Sequence, residues 1–334
     1  MRNYLKQCLK FGLVIIAPLL LLLVLYLCYD PFKVLYKYND YSNPVVRDNR
    51  DYVSTEVFIN NYPIYRYNSF IFGSSRTLAF RPTSWTKYLN KDARPFMFDA
   101  LGESIYGIYM KLQYLDSIHA NINNVLIVLC HDQSFSNSEN HKGHLFIKHP
   151  ATSKESKLGF QLEFFKAFIN PKFLFNYFSF IITKEYKPYM IGYMEHKKVI
   201  LDKITNELTI IDQETEITKD PANYYLKHKD SFYSRSGEKK DKINRINNKQ
   251  LDMLYEVKRI LIKNKSNYRV VISPLYEQVK FSDKDKNILI SVFGDKLYDF
   301  SGKNKFTESV FNYYEESHYR PIVGDSIFSI IYKR

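Results

Sequence analysis

Cysteine is scarce in this chain: three residues in 334, with Cys8 and Cys28 both in or beside one apolar stretch near the N-terminus. Cys130 stands alone in the remainder, which excludes a disulfide within that part and a cysteine-rich metal site. Internal repeats and low-complexity tracts are lacking as well, and a hydrophobic content of 45% argues against wholesale disorder. Charge is missing from Phe11 to Tyr29, where 19 residues, "FGLVIIAPLLLLLVLYLCY", are long enough to cross a bilayer as a helix. No small-x-small cleavage site follows that run, and bulky Leu27 precedes Cys28 where a lipoprotein signal needs a small residue. The run therefore reads as an uncleaved anchor rather than a signal peptide.

What is abundant is positive charge and aromatic surface. Arg2, Lys6 and Lys10 precede the apolar run, which predicts residues 1–10 in the cytoplasm, an anchor over 11–29 and the rest of the chain outside. The net charge of +13 suits an anionic partner such as a membrane surface, an acidic glycan or nucleic acid. An extracytoplasmic location, periplasmic or extracellular, removes nucleic acid from that group. The 29 Tyr and 25 Phe contrast with a single Trp, a bias in keeping with an AT-rich genome and assigned no function.

Residues 30–60 read as a polar, tyrosine-rich stalk, and 61–334 as an outer domain. Four short apolar runs, Ser69–Phe72, Val125–Leu129, Arg269–Ile272 and Lys296–Phe300, have the composition and length of strands. Between them, Leu251, Leu254, Val257 and Leu261 recur at helical spacing within 247–264, and 103–119 has a similar character. Strands alternating with helices predict an α/β layered domain with a mostly parallel sheet. Residues 134–246 interrupt that rhythm and read as an insertion, with a β-hairpin over 198–211 and a charged, flexible stretch over 219–246. Its aromatic-basic segment 164–186 suits either ordinary packing or a membrane surface, and the absence of a clean polar face favours packing.

Sites in parallel α/β sheets form at the carboxyl ends of the strands. Gly73-Ser74-Ser75-Arg76 follows the first run, Cys130-His131-Asp132-Gln133 follows the second, and Glu315 lies three residues before His318 in "NYYEESHYRPIVGDSI". Taken singly, the serine pair caps a turn and the histidine is a surface residue. Taken together they suit acyl transfer: a serine hydroxyl needs an imidazole to take its proton, and the imidazole needs a carboxylate to fix its tautomer. The loose cluster His141, His144 and His149 lacks the carboxylate and spacing of a metal site, so no metal ligand and no cofactor is assigned.

"FGSSR" and "EESH" resemble the first and last blocks of the SGNH/GDSL hydrolase superfamily. "ESHYRPIVGDSI" is similar to its membrane-anchored extracytoplasmic branch, which includes alginate O-acetylation proteins and the D-alanine transfer protein of teichoic acids. The likeness spans about 69–133 and 268–331. It implies an SGNH-like three-layer α/β domain with Ser75 as nucleophile, His318 as base and Glu315 as acid. It implies backbone N–H groups of Ser75 and Gly102 as oxyanion donors, with Ser74, Arg76 and Asp132 at the substrate side of the site. Ser74 and Glu315 each replace an Asp of the family pattern, and His131-Asp132-Gln133 stands where an Asn donor is usual; an ionised carboxylate cannot donate. The implied function is serine-dependent O-acyl transfer to, or ester hydrolysis on, a cell-envelope polysaccharide, with a multi-pass membrane-bound O-acyltransferase as partner. The alternative is a non-catalytic scaffold that binds envelope polymer in an assembly complex.

Overall fold

The computed structural model describes residues 2–333, with the side chains of 2, 3, 5–13 and 15 outside the described set. Helix α1 (Arg2–Tyr29) carries the apolar run, and helix α2 (Arg50–Tyr65) follows, started by Asn49, whose side chain accepts from the Tyr52 N–H. Four residues of the expected anchor, 11–13 and 15, have side chains outside the described set. Among the described residues no helix is long and apolar enough to cross a membrane. The expected stalk is not a free spacer. Phe32, Val34, Tyr41 and Val46 are buried, and so is most of the first two turns of α2, so residues 30–60 belong to the domain core.

Each apolar run becomes a strand. The first half of the domain holds β1 (Ser69–Gly73), short helix α3 (Pro82–Trp85), β2 (Pro95–Met97), α4 (Ile105–Ser117) and β3 (Asn124–Leu129). The interrupting region 134–246 forms α5 (Lys157–Phe168), α6 (Pro171–Thr183), the hairpin β4 (Val199–Leu201) and β5 (Leu208–Ile210), α7 (Ile211–Lys219), α8 (Pro221–Lys227) and β6 (Lys239–Lys240). The predicted hairpin is thus present and antiparallel. The stretch expected to be flexible is partly ordered by α8 and by parallel pairing of β6 with β8 (Val279–Lys280), which follows α9 (Asn248–Lys263) and β7 (Asn267–Ile272). Then come α10 (Asp283–Phe293), β9 (Leu297–Asp299), the hairpin β10 (Tyr313–Glu315) and β11 (His318–Tyr319), and α11 (Pro321–Ile331).

One five-stranded sheet, ordered β2-β1-β3-β7-β9 and parallel throughout, forms the centre. Alternation along the strands divides the core in two. Phe70, Phe72, Val125, Ile127, Val270 and Ile272 meet buried residues of α2, α4, α9 and α10 on one face. Ile71, Leu126, Val128 and Val271 meet Trp85, Val323, Ile327 and Phe328 on the other. Fully burying such side chains stabilises by about 1.5–3 kcal/mol each. The chain is an α/β protein with helices on both faces of a parallel sheet. Aromatic residues of α5 and α6, among them Phe164, Phe168, Phe173 and Tyr177, join the core, and Tyr26 of α1 packs on Phe165 and Phe168.

The strand order reverses between β1 and β3, because β2 was added on one side of β1 and all later strands on the other. Such a switch point leaves a crevice beyond the carboxyl ends of the two strands. Ser75 and Asp132 follow those two ends.

Candidate functional site

The turn after β1 is forced by sterics. Gly73 has φ +151°, and a Cβ there would lie 2.6 Å from the Val128 carbonyl oxygen on β3. No other residue lets β1 finish so close to its neighbour. Ser74 then caps a short 3₁₀ turn over Ser75–Ala79: its carbonyl accepts from the Thr77 N–H at 2.9 Å and from Thr77 Oγ1 at 2.8 Å. Ser74 is buried, and its hydroxyl accepts from the Arg76 N–H at 3.5 Å. That is a structural role. Ser75 is left half-buried at the start of the turn.

On the opposite side of the crevice, Glu315 and His318 stand directly across the β10–β11 hairpin, joined by Glu316 and Ser317. Facing positions in such a pair bring side chains into contact. Glu315 Oε1 is hydrogen-bonded to His318 Nδ1, and Glu315 Oε2 accepts from the Ser317 N–H at 2.7 Å. His318 Nε2 lies 2.8 Å from Ser75 Oγ. A carboxylate only accepts, so Nδ1 carries the proton; Nε2 of the neutral ring is then the acceptor for the Ser75 hydroxyl. Burial alone would push the Glu315 carboxyl up. The hydrogen bond and charge of His318, with the Ser317 N–H, outweigh it and hold the carboxyl below its ordinary value.

Arg76 ties the pieces together from behind. Its guanidinium is buried and donates to Asp132 Oδ1 at 3.1 Å and Oδ2 at 3.2 Å, to Cys130 Sγ at 3.0 Å and to the Ser317 carbonyl at 3.3 Å. It therefore links the Ser75 turn, the end of β3 and the β10–β11 hairpin. Burial works against the Asp132 carboxylate, yet the Arg76 charge holds it below its usual range. Burial pushes the Cys130 thiol up in spite of Arg76, so it is no competing nucleophile.

Of the seven residues expected at the site, Ser75, His318 and Glu315 form one hydrogen-bonded chain, and Ser75 and His318 line a cavity of about 360 Å³. Ser74, Arg76, Asp132 and Gly102 do not line it. Gly102 turns with φ +56° beside Phe146, and its neighbour Leu101 reaches the cavity instead. A Cβ on Gly102 would meet the Phe146 ring at 3.4 Å, so that side of the turn packs on the 134–246 region.

Three arrangements had no clear signal in the sequence. One is where the expected hairpin sits: β4–β5 covers the crevice, with Val199, Leu201, Leu208 and Ile210 among the cavity residues. Arg50 and Asp99, a buried ion pair at 2.9 Å, also line it. Helices α7 and α8 brace the β10–β11 hairpin: Tyr224 Oη donates to the Tyr314 carbonyl at 2.9 Å, Tyr225 Oη to the Tyr313 carbonyl at 2.8 Å, and Glu214 pairs with Arg320 at 2.9 Å. Arg50 gave no signal, because it lies in the segment read as a stalk. In comparisons with known proteins, no family model and no curated relative matches the chain.

Proposed function

We propose that this protein carries out serine-dependent acyl transfer or ester hydrolysis through an acyl-Ser75 intermediate. The observation that carries this reading is the continuous chain Glu315–His318–Ser75, with the hydroxyl opening on a cavity. Ser75 Oγ attacks the acyl carbon of an ester while its proton passes to His318 Nε2. Glu315 stabilises the imidazolium through Nδ1–H. The ester C–O bond breaks, and the leaving alcohol takes the proton from Nε2. A second hydroxyl, from a sugar or from water, then gives its proton to Nε2, attacks the acyl-serine and frees Ser75. The residues are the same for transfer and hydrolysis; what differs is which hydroxyl enters.

The resemblance to the SGNH/GDSL hydrolases rests on "FGSSR" and "EESH", and the parallel sheet with helices on both faces is compatible with that architecture. Within that likeness the acceptor is a cell-envelope polysaccharide and the acyl donor is delivered by a multi-pass O-acyltransferase. Anchoring by 11–29 is supported by the side chains of α1: Ile16, Leu19, Leu20, Leu21, Val24 and Leu27 are all exposed, an apolar surface suited to lipid; the extracytoplasmic side is the reading taken from the positive residues before the run. Fluorophosphonate labelling tests the serine chemistry. Wild type is expected to label and Ser75→Ala not to; equal labelling of both, or of neither, overturns the proposal and leaves a polymer-binding scaffold.

A further inference from the structure

We infer that the cavity beside Ser75 is an acyl-chain site, built for a medium-length, uncharged acyl group rather than for acetyl. This rests on the acyl-Ser75 reading. Its apolar wall comes from three separate parts of the chain: Pro44 from the region before β1, Leu78 and Leu101 from the sheet domain, and Met194, Leu201 and Leu208 from the inserted region. Charged and polar residues, among them Arg47, Asp48, Arg50, Glu195 and Lys197, line the rest. Here Tyr41 is the sole phenol or phenyl ring in the lining, and it is buried in an edge contact with Tyr38. A volume of about 360 Å³ lies near the lower end for small-ligand pockets and fits a chain on the order of four to eight carbons.

Two unpaired polar atoms say how the chain is held. Arg50 Nη1 and Tyr41 Oη are both buried without a hydrogen-bond partner, and both residues line the cavity. A buried donor without a partner costs stability unless something satisfies it. Arg50 is already neutralised by Asp99, its Nε donating to Asp99 Oδ1 at 3.0 Å and Nη2 to the Asn206 carbonyl at 2.8 Å. The remaining N–H is therefore suited to a neutral acceptor oxygen of the acyl group, not to a second carboxylate. Asp48 agrees with this, since burial pushes its carboxyl toward the uncharged form despite Arg50.

The test uses the full chain in phosphatidylcholine nanodiscs with p-nitrophenyl acetate, butanoate, hexanoate, octanoate and hexadecanoate. Each methylene taken into the cavity is expected to raise kcat/KM about fourfold. Hexanoate then exceeds acetate by about two orders of magnitude, and hexadecanoate falls away once the cavity is full. Leu208→Trp fills the cavity and is expected to lower the hexanoate-to-acetate ratio by about a hundredfold. Binding of octanamide to Ser75→Ala gives a readout independent of chemistry; it is expected to weaken about tenfold on adding Tyr41→Phe and to vanish on adding Leu208→Trp. A preference for acetate, unchanged by Leu208→Trp, with no octanamide binding, overturns the acyl-chain site while leaving the serine chemistry intact. Octanamide binding that Leu208→Trp blocks, in a protein that reacts with no ester or fluorophosphonate, supports the site and overturns the serine chemistry instead.

Discussion

Two polar networks sit near the carboxyl ends of the strands, and they are built to opposite specifications. In one, Lys111 and Lys148 share the carboxylates of Asp51 and Glu103, at 2.6–3.5 Å, with every side chain no more than 2% exposed. Its spare valences are closed by backbone: Lys111 Nζ donates to the Asp99 carbonyl and Asp51 Oδ2 accepts from the His149 N–H. The other is the Glu315–His318–Ser75 chain, whose acid and base remain 26% and 31% exposed. Charge density does not distinguish a site from scaffolding here, since the denser cluster is the inert one. What marks the site is hydrogen-bonding capacity left open toward a cavity. The closed cluster has its own purpose. It fastens α2, the 99–104 turn, α4 and the loop at Lys148 into one frame behind the crevice.

The largest effect expected is on the open network. Glu315→Gln keeps the shape but presents an amide to His318, favouring the wrong tautomer, and is expected to slow acyl-enzyme formation by a factor on the order of 10⁴. Stopped-flow release of p-nitrophenol measures this. The urea midpoint should move little, because a half-exposed pair contributes about 1 kcal/mol or less. Lys148→Met is the converse experiment. It leaves buried carboxylates with one cation, at a cost of about 3–5 kcal/mol in urea unfolding. Ser75 labelling per folded molecule should be preserved. A silent Glu315→Gln would move the acid role to another carboxylate, and a silent Lys148→Met would mean that the cluster is open to water.

The open network was far more legible in the sequence than the closed one, for a physical reason. Ser75 follows directly from an apolar strand run and a glycine, and Glu315 and His318 sit three residues apart, so local pattern finds them. The four strand runs and the 198–211 hairpin are local in the same sense. Asp51 meets Lys148, and Arg50 meets Asp99, only because the fold brings together segments that read separately as stalk, turn and insertion. The 30–60 region looked like a stalk because its polar residues were counted as solvated; in the fold Asp30, Asn49, Arg50 and Asp51 are buried and bonded.

The turn that begins with Ser75 also packs closely on α11. A Cβ on Gly324 of α11 would fall 1.9 Å from the Ala79 carbonyl oxygen, in the turn that begins with Ser75. That backbone has no flexible end to move aside. Gly324→Ala is therefore expected to push the turn and α11 apart, costing about 1–3 kcal/mol in unfolding experiments. It should also lower the labelling rate of Ser75 by more than the lost stability explains, because a small displacement breaks the 2.8 Å bond to His318. Equal rates for wild type and Gly324→Ala, measured on folded protein, would show that the turn holds Ser75 without help from α11.

The smallest effect concerns the link that joins the site to its frame, Asp132 to Arg76. Arg76 holds the Asp132 carboxyl below its usual range, so the folded state binds its proton less readily than the unfolded chain does. The resulting stabilisation is complete above the unfolded carboxylate value near ~4 and is lost as pH falls through the lower folded value. Asp132→Asn should consequently be less stable than wild type at neutral pH, by under about 1 kcal/mol because the carboxylate is a third exposed. The gap should begin to narrow as pH falls below about 4 and close only once it has fallen through the lower folded value, where the wild-type carboxylate is itself protonated. Urea midpoints across that range decide the matter. A gap that stays constant would assign the loss to packing rather than charge. One that widens on acidification would mean that Asp132 is protonated more readily in the folded state, and that Arg76 is held by Cys130 and the Ser317 carbonyl alone.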